Sequence, residues 1–308
     1  MKILLTGGAG FIGSHVCEEL LLHHASTEVV VLDNFFTGRR ENVPSQFRIC
    51  EMDMRSSQLL PFLQKEKFDS IIHLAAQTMV PASIEDPLFD ADLNIMGLLN
   101  VLEGARKTGV KSIVFSSSAA VYGDNTNLPL RETEIPRPGS FYGLTKATTE
   151  SYLKLYHELY GLHTTVLRFA NVYGERQGMT GEGGVISIFA KHLSQGLPLT
   201  VFGDGTQTRD FVYVKDIAKA LCLAVAHEGF GIFNVSTGQE ISLNKLISIF
   251  HNIFKVEPRV NYEKVRPGDI YRSVLSNKAI GEGLGLTAFT SLEDGLARTS
   301  IYFQKNNL

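Results

Sequence analysis

Tyr142 and Lys146 stand four residues apart in SFYGLTKAT, at the start of a stretch with apolar residues at helical spacing, so the two side chains share one helix face. Of the ten tyrosines, only this one has a lysine four positions on. A phenol titrates near pH ~10 in water, and a neighbouring ammonium favours its ionised form; a tenfold gain in that form is worth about 1.4 kcal/mol. A phenol lowered in this way is a general base for an alcohol. The same spacing also arises in solvated surface pairs, so the reading needs companions. One is SSSAAVYGD at 116–124, where Ser116 and Ser118 lie one strand period apart on the same side and Ser117 faces the other way. Two alanines, Ala119 and Ala120, follow the hydroxyls, so no carboxylate stands beside them.

Groups so far apart in sequence meet only on a scaffold. KILLT (2–6), EVVVLD (28–33), SIIHLA (70–75), SIVFSSS (112–118) and TTVLRFA (164–170) are unbroken apolar runs bounded by turn signals, the pattern of strands buried on both faces. Helical patterns over 12–24, 56–66, 88–108 and 142–160 alternate with them, which predicts an α/β fold built on a doubly wound parallel sheet. After about residue 174 the alternation loosens. The Gly-rich ERQGMTGEGG is followed by a helix at 185–196, a short strand LTVFG and the loop DGTQT, and GIFNVS (231–236) reads as one more sheet strand. Helices near 242–254 and 291–304 complete a smaller, interlaced C-terminal domain. The expected division is 1–174 plus about 212–236 for the sheet domain, and 175–211 plus 237–308 for the second.

The first strand runs into TGGAGFIGSH (6–15), where Gly7, Gly10 and Gly13 open a helix. Glycines at this spacing allow a tight turn, close approach of a pyrophosphate and close helix–strand packing, with the helix N-terminus facing the anion. Spacing alone also fits an ordinary turn. The strand before it, the helix after it, and Asp33 ending the second strand favour a dinucleotide. A carboxylate there accepts hydrogen bonds from ribose hydroxyls and repels a 2′-phosphate, which selects NAD over NADP. Arg39 and Arg40 in TGRREN could meet a 2′-phosphate or simply sit in a solvated loop; the second reading is preferred. A bound nicotinamide cation would add to the lysine's pull on Tyr142.

The chain has 308 residues, a formal net charge of −3 and 20% charged residues, with no basic footprint for nucleic acid or a membrane surface. No apolar run approaches the ~20 residues of a membrane span, and the opening MKILLTGG breaks into glycines too early for a signal-peptide core. Cys17, Cys50 and Cys222 form no framework and read as reduced, buried thiols. His23, His24, His73 and His163 lack metal-ligand spacing, so no metal is expected. A cytoplasmic location is expected.

The glycine turn, HLAAQ (73–77), SSSAAVYG and the Tyr142–Lys146 pair together resemble the extended short-chain dehydrogenase/reductase family, with its Rossmann sheet. Within it the chain is most similar to the UDP-glucose (UDP-galactose) 4-epimerases and their UDP-N-acetylglucosamine relatives. VLDNFFTGRRENV, NVYGERQ, VFGDGTQTRDFVYVKD and VRPGD follow in the family's order, so the resemblance runs from residue 1 to about 300.

The resemblance implies an NAD-dependent 4-epimerisation of a UDP-hexose through a 4-keto intermediate, with Ser118, Tyr142 and Lys146 catalytic. Cofactor contacts would come from Gly7, Gly10, Phe11, Ile12 and Gly13 at the turn. Asp33 would meet the adenosine ribose, and Asn34, Gly38, Asp53 and Met54 are further cofactor contacts. Leu74, Ala75, Ala76, Asn94 and Ser116 would join Tyr142 and Lys146 around the rest. Substrate would meet Thr78, Ser118 and Tyr142, then Asn171 by its side chain and Val185 by its backbone, with Phe202 by the uracil. Arg209 and Arg266 would clamp the diphosphate, which guanidiniums meet bidentately, and Asp269 would hold the ribose. Without the family order, Arg266 and Asp269 could equally pair across a turn.

Related dehydratases carry Asp and Glu at the places of Ala119 and Ala120, and the decarboxylases keep a Glu at that of Ala120, so this chain suits epimerisation or simple reduction. Ser273 occupies a pocket position where a tyrosine restricts relatives to plain hexoses, so UDP-GlcNAc and UDP-GalNAc should fit beside UDP-glucose and UDP-galactose. A homodimer through helices at roughly 90–108 and 142–160 is the family habit. The alternatives are a nucleotide-sugar reductase or dehydrogenase that exchanges its cofactor, a UDP-glucuronate 4-epimerase, and a non-catalytic NAD-binding regulator. An intact Ser118, Tyr142 and Lys146 argue against the last.

Overall fold

A computed structural model describes residues 1–24, 26–178, 183–265 and 270–306. Its frame is a seven-stranded sheet. β1 (Lys2–Thr6), β2 (Glu28–Asp33), β4 (Ser70–His73), β5 (Ser112–Ser118) and β6 (His163–Phe169) are the expected apolar runs, nearly every residue buried. β3 (Arg48–Glu51) escapes the pattern because RICE is charged at both ends and only half buried, as befits an edge strand. The order is Phe230–Val235, β6, β5, β4, β1, β2, β3, and the pairings from β3 through to β6 are parallel. The doubly wound sheet is therefore present. β1 and β4 are adjacent but not consecutive, which makes their carboxyl ends the topological switch point where such sheets bind ligands.

Helices α1 (Phe11–His23) and α2 (Leu59–Glu66) fall within two or three residues of expectation. The stretch expected as one helix over 88–108 is broken into three: α4 (Pro87–Ala91), a π turn (Asp92–Met96) and α5 (Gly97–Thr108), preceded by the short α3 (Val80–Glu85). Asp86 caps α4 by accepting from the Phe89 N–H at 2.9 Å, and Pro87 needs no partner at the first helical position. The π turn adds a residue to the repeat and carries Asn94 inward, 4% exposed. α6 (Phe141–Tyr160) is the longest helix described. Leu63, Leu98, Leu102 and Leu153 from α2, α5 and α6 bury their side chains against Leu4, Ile71 and Ile113 of the sheet.

The chain divides into two compact units, Met1–Gly123 with Glu134–Phe169 and Ala218–Phe233, and Asp124–Thr133 with Ala170–Ile217 and Asn234–Leu308. The second holds helices Val185–Ser194, Leu243–Phe254 and Leu292–Asn306. Three small strand pairs accompany them: Asn171–Tyr173 with Phe211–Tyr213, Leu199–Phe202 with Val260–Glu263, and Thr208–Arg209 with Ile241–Ser242. Buried Asp210 ties this unit together, accepting from the Thr237 hydroxyl at 2.7 Å and from the Thr237 and Gly238 N–H groups at 3.0 Å each.

Candidate active site

The turn after β1 is shaped by its glycines. Gly7 has φ +71°, and a Cβ there would lie 2.7 Å from the Ala75 nitrogen; one on Gly13 would lie 2.2 Å from the Gly7 carbonyl oxygen. Gly10, the residue before α1, is different: a Cβ would meet only the Gly7 oxygen, at 3.4 Å, and would otherwise project into open space. No side chain caps α1 and its first turn holds no acid, so its positive dipole end is available to an anion. Asp33, 7% exposed, accepts from the Ala9 N–H at 2.9 Å and the Phe35 N–H at 2.8 Å. Burial pushes its carboxyl above the ordinary range, and the two N–H groups oppose that rise. A Cβ on Gly38 would lie 3.0 Å from Asp33 Oδ1, so this glycine also serves close packing at the acid.

Asn34 donates to Asp53 at 3.1 Å, and the Arg55 guanidinium holds the Asp53 carboxyl down to about 2. Met54 is buried beneath Gly97. Arg40 faces Glu51 at 2.7 Å and lies over the Phe35 ring, while Arg39 lies 3.9 Å from Glu41. At the end of β4, the Leu74 and Ala75 N–H groups both donate to Thr6 Oγ1, at 3.2 and 3.3 Å. That oxygen lies 2.9 Å from His73 Nδ1. Burial, with the Lys146 charge as a smaller cause, keeps this imidazole neutral, its pKa down to about 3.

The start of α6 works differently. Ser140 caps it through the Gly143 N–H at 3.1 Å, and a Cβ on Gly143 would lie 2.6 Å from the Ala120 carbonyl oxygen. The helix thus packs directly on the turn that follows β5. Tyr142 is half-buried and its hydroxyl is hydrogen-bonded to that of Ser118, whose oxygen also accepts from the Ala120 N–H at 3.2 Å. Lys146, 3% exposed, donates to the Ser116 carbonyl at 2.9 Å and lies 5.9 Å from the centre of the Tyr142 ring. Ser116 itself donates to the His73 carbonyl at 3.1 Å.

Burial is the first influence on both groups. Burial pushes Tyr142 up to about 12, the Ser118 hydrogen bond opposing, and pushes Lys146 down to about 8. The lysine spends its hydrogen bond on a backbone carbonyl.

Ser117, read as structural, donates to Glu150 at 2.5 Å, and Glu150 forms a two-pronged pair with Arg168 at 3.0 and 2.6 Å. Arg168 reaches on to the Tyr122 hydroxyl at 2.9 Å. A second buried acid, Asp90, meets Gln77, Asn94 and Thr145. Sequence reasoning misses both acids, although Asp90 stands one helical turn before Asn94. Phe11, Ile12, Leu74, Ala75 and Ala76 are partly buried, and Thr78 is exposed in the segment between β4 and α3.

In the second unit, Asn171 is exposed and its N–H donates to the Asp210 carbonyl at 2.9 Å; Val185 is the first residue of its helix. The Phe202 carbonyl accepts from Gln207 at 2.5 Å, and Arg209 donates to the Thr208 carbonyl at 2.8 Å. Ser273 is half-buried just before Val274. Arg266 and Asp269 lie outside the described residues. Among the described residues no cluster of three or more His, Cys, Asp or Glu could hold a metal ion, and no helix is long and apolar enough to cross a membrane. A cavity of ≈ 720 Å³ at the amino ends of β4, β5 and β6, lined by Ser70, Ser112 and His163, contains none of these residues.

Residues 3–236 match the model of the NAD dependent epimerase/dehydratase family, and the chain belongs to that family. A putative UDP-glucose 4-epimerase of Methanocaldococcus jannaschii is 41% identical over 306 residues, 99% of each chain. The structure of UDP-glucose 4-epimerase with UDP-glucose from Thermotoga maritima superposes with a TM-score of 0.96 at 40% identity, over 99% of both chains. UDP-N-acetylglucosamine 4-epimerase from Methanobrevibacter ruminantium, in complex with UDP-N-acetylmuramic acid, superposes with a TM-score of 0.93 at 34% identity, over 99% of this chain and 98% of the other.

Proposed function

We propose that this chain is an NAD-dependent UDP-hexose 4-epimerase, and the observation that carries the reading is the Ser118–Tyr142–Lys146 cluster beside a glycine turn and buried Asp33. The open side of Gly10, the uncapped start of α1 and the two N–H groups that orient Asp33 fit a dinucleotide pyrophosphate and its ribose. NAD, when bound, accepts the hydride from sugar C4 and returns it. Gly7, Gly10 and Gly13 would take the pyrophosphate, with Phe11 and Ile12 beside them at the start of α1. Asp33, Asn34, Gly38, Asp53 and Met54 would take the adenosine, and Leu74, Ala75, Ala76, Asn94 and Ser116 the remainder.

Tyr142 takes the proton of the 4-hydroxyl, through or beside Ser118, and gives it back when the alcohol reforms on the opposite face. Lys146 supplies the positive charge that the ionised phenol needs, held in place by the Ser116 carbonyl. The absence of carboxylates at Ala119 and Ala120 supports epimerisation over elimination. The sugar must be free to turn between the two transfers, so the binding energy belongs on the nucleotide. Asn171, Val185, Phe202, Arg209, Arg266 and Asp269 are the proposed contacts to UDP, with Thr78 at the sugar. The first compact unit thus serves the cofactor and the acid–base groups, and the second serves the nucleotide. Ser273, a small residue, is proposed to admit a 2-acetamido group.

The exposed Met96, Leu155 and Leu159, on the π turn and α6, support a homodimer through these helices. Three free cysteines suit a reducing cytoplasm.

The test is to incubate the purified protein with UDP-galactose and, separately, UDP-N-acetylgalactosamine without added cofactor, and to separate the C4 epimers. Interconversion of both is expected. Turnover only when NAD(P)(H) is supplied and consumed would replace the epimerase with a reductase. Conversion of the plain sugar alone would withdraw the role of Ser273.

A further inference from the structure

Asp90 is fully buried, yet it is an acid on a helix that touches α6. One carboxylate oxygen accepts from Gln77 Nε2 at 2.7 Å and Asn94 Nδ2 at 3.1 Å; the other accepts from the Thr145 hydroxyl at 2.9 Å. Asn94 closes the ring, accepting from the Gln77 N–H at 2.9 Å and donating back to the Gln77 carbonyl at 3.0 Å. Three segments are thereby tied at one anion: the loop after β4 that carries Thr78, the turn of α4 into the π segment, and the second turn of α6. Thr145 lies between Tyr142 and Lys146, and the Tyr142 carbonyl, 3.0 Å from its hydroxyl, competes with Asp90 for its one proton. Three donors on two oxygens satisfy an ionised carboxylate, whereas an amide in its place would point its own NH₂ at a donor.

We propose that Asp90 is a positioning residue for the reaction, its carboxylate setting Tyr142 and Lys146 against the Gln77–Thr78 loop and keeping a negative charge behind the pair. This rests on the epimerase reading above. The groups facing Tyr142 and Lys146 from the neighbouring elements are Asp90 from α4, Glu150 from α6 itself, neutral His73 from the end of β4, and Ser118 from β5. Arg168 of β6 neutralises Glu150 by direct pairing, whereas Asp90 is met by two amides and a hydroxyl, all of them neutral. Its field opposes the loss of the Lys146 proton that burial favours, and it also raises the phenol. Removing the charge therefore moves both groups in the same direction, downward.

The test compares wild type, Asp90→Asn and Thr145→Val as NAD-bound proteins. Asp90→Asn is expected to lose about tenfold or more in kcat with KM changed less than about twofold. Both limbs of its pH–rate profile should move to lower pH by about half a unit. Thr145→Val keeps the charge and should lower kcat without moving the limbs. Carbon-13 NMR of tyrosine labelled at the ring carbon bearing the hydroxyl, with the Tyr142 resonance assigned by its loss in Tyr142→Phe, should show the phenol titrating lower in Asp90→Asn. That readout needs no turnover, so it stands even if wild type epimerises nothing and the functional reading falls. An unchanged kcat in Thr145→Val, or a slower Asp90→Asn whose limbs and Tyr142 resonance stay at wild-type pH, would overturn the proposal. Should Asp90→Asn fail to fold, Thr145→Val decides through kcat at wild-type melting temperature and NAD content.

Discussion

At the turn after β1 the backbone does the shaping, whereas at the start of α6 buried side-chain charge does. The turn needs glycine because an added Cβ would overlap main chain at Gly7 and Gly13, and Asp33, at the end of β2, is held by two N–H groups, one of them that of Ala9 in the turn. Around Tyr142 and Lys146 the backbone is ordinary helix, and the environment is set by Asp90, Glu150 and Arg168, none of them more than 5% exposed. Shape built from backbone tolerates no added atoms but is indifferent to pH. Shape built from buried charge tolerates conservative volume changes but responds to any change in ionisation.

This contrast can be broken at either end. The largest effect is expected from Tyr142→Phe, which should reduce epimerisation by at least about a hundredfold while NAD stays bound, since only the proton acceptor is lost. Epimer analysis and cofactor release on denaturation check both halves, and surviving turnover would remove Tyr142 from the mechanism. Gly13→Ala should do the reverse. Its Cβ would overlap the Gly7 carbonyl oxygen, the turn must open, and the purified protein should carry little NAD at a lowered melting temperature.

Glu150→Gln sharpens the charged side. It breaks the buried two-pronged pair with Arg168 and is expected to lower stability by about 3–5 kcal/mol, read by urea unfolding. A loss below about 1 kcal/mol would mean the pair behaves like a surface bridge.

The pH dependence of stability is small near neutrality and grows as the solution is acidified. His73 is depressed to about 3 by burial against an ordinary value of 6.5, so the unfolded chain takes up the proton first. Its neutral form costs nothing above pH 6.5, and stability is lost as pH falls from there towards 3, by up to about 1.4 kcal/mol per pH unit. His227, also depressed by burial, adds in the same sense. Asp53 and Glu103, each held down to about 2 by an arginine, contribute only once pH drops below the ordinary carboxylate range. His73→Gln should flatten the upper part of that fall, and an unchanged slope would show that His73 is already protonated in the fold.

The same contrast explains what is legible in the sequence. The glycine turn is, because strand, glycines, helix and Asp33 are near neighbours in the chain and their spacing is the signal. The Tyr142–Lys146 pair is, because one helical turn joins them. β3 is not, since an edge strand needs no apolar run. Nor is the break at Asp92–Met96, in which Asn94 is buried. Asp90 is hidden for a deeper reason: Gln77 is 13 residues before it and Thr145 is 55 after it, and only the finished sheet brings them together. The burial around Tyr142 and Lys146 escapes the sequence because spacing reports proximity and says nothing of desolvation.

The strand Phe230–Val235 sits beside β6 at the edge of the sheet, and this has a consequence for synthesis. β6 ends at Phe169, so a ribosome must add roughly 60 more residues before its neighbour exists, which takes about 3–12 s at ordinary elongation rates. During that interval a nearly fully buried strand offers a bare row of N–H and C=O groups to whatever surrounds the ribosome. Nascent chains stopped between residues 170 and 229 should be the sticky ones, drawing chaperones, whereas chains extended past Val235 have closed the edge.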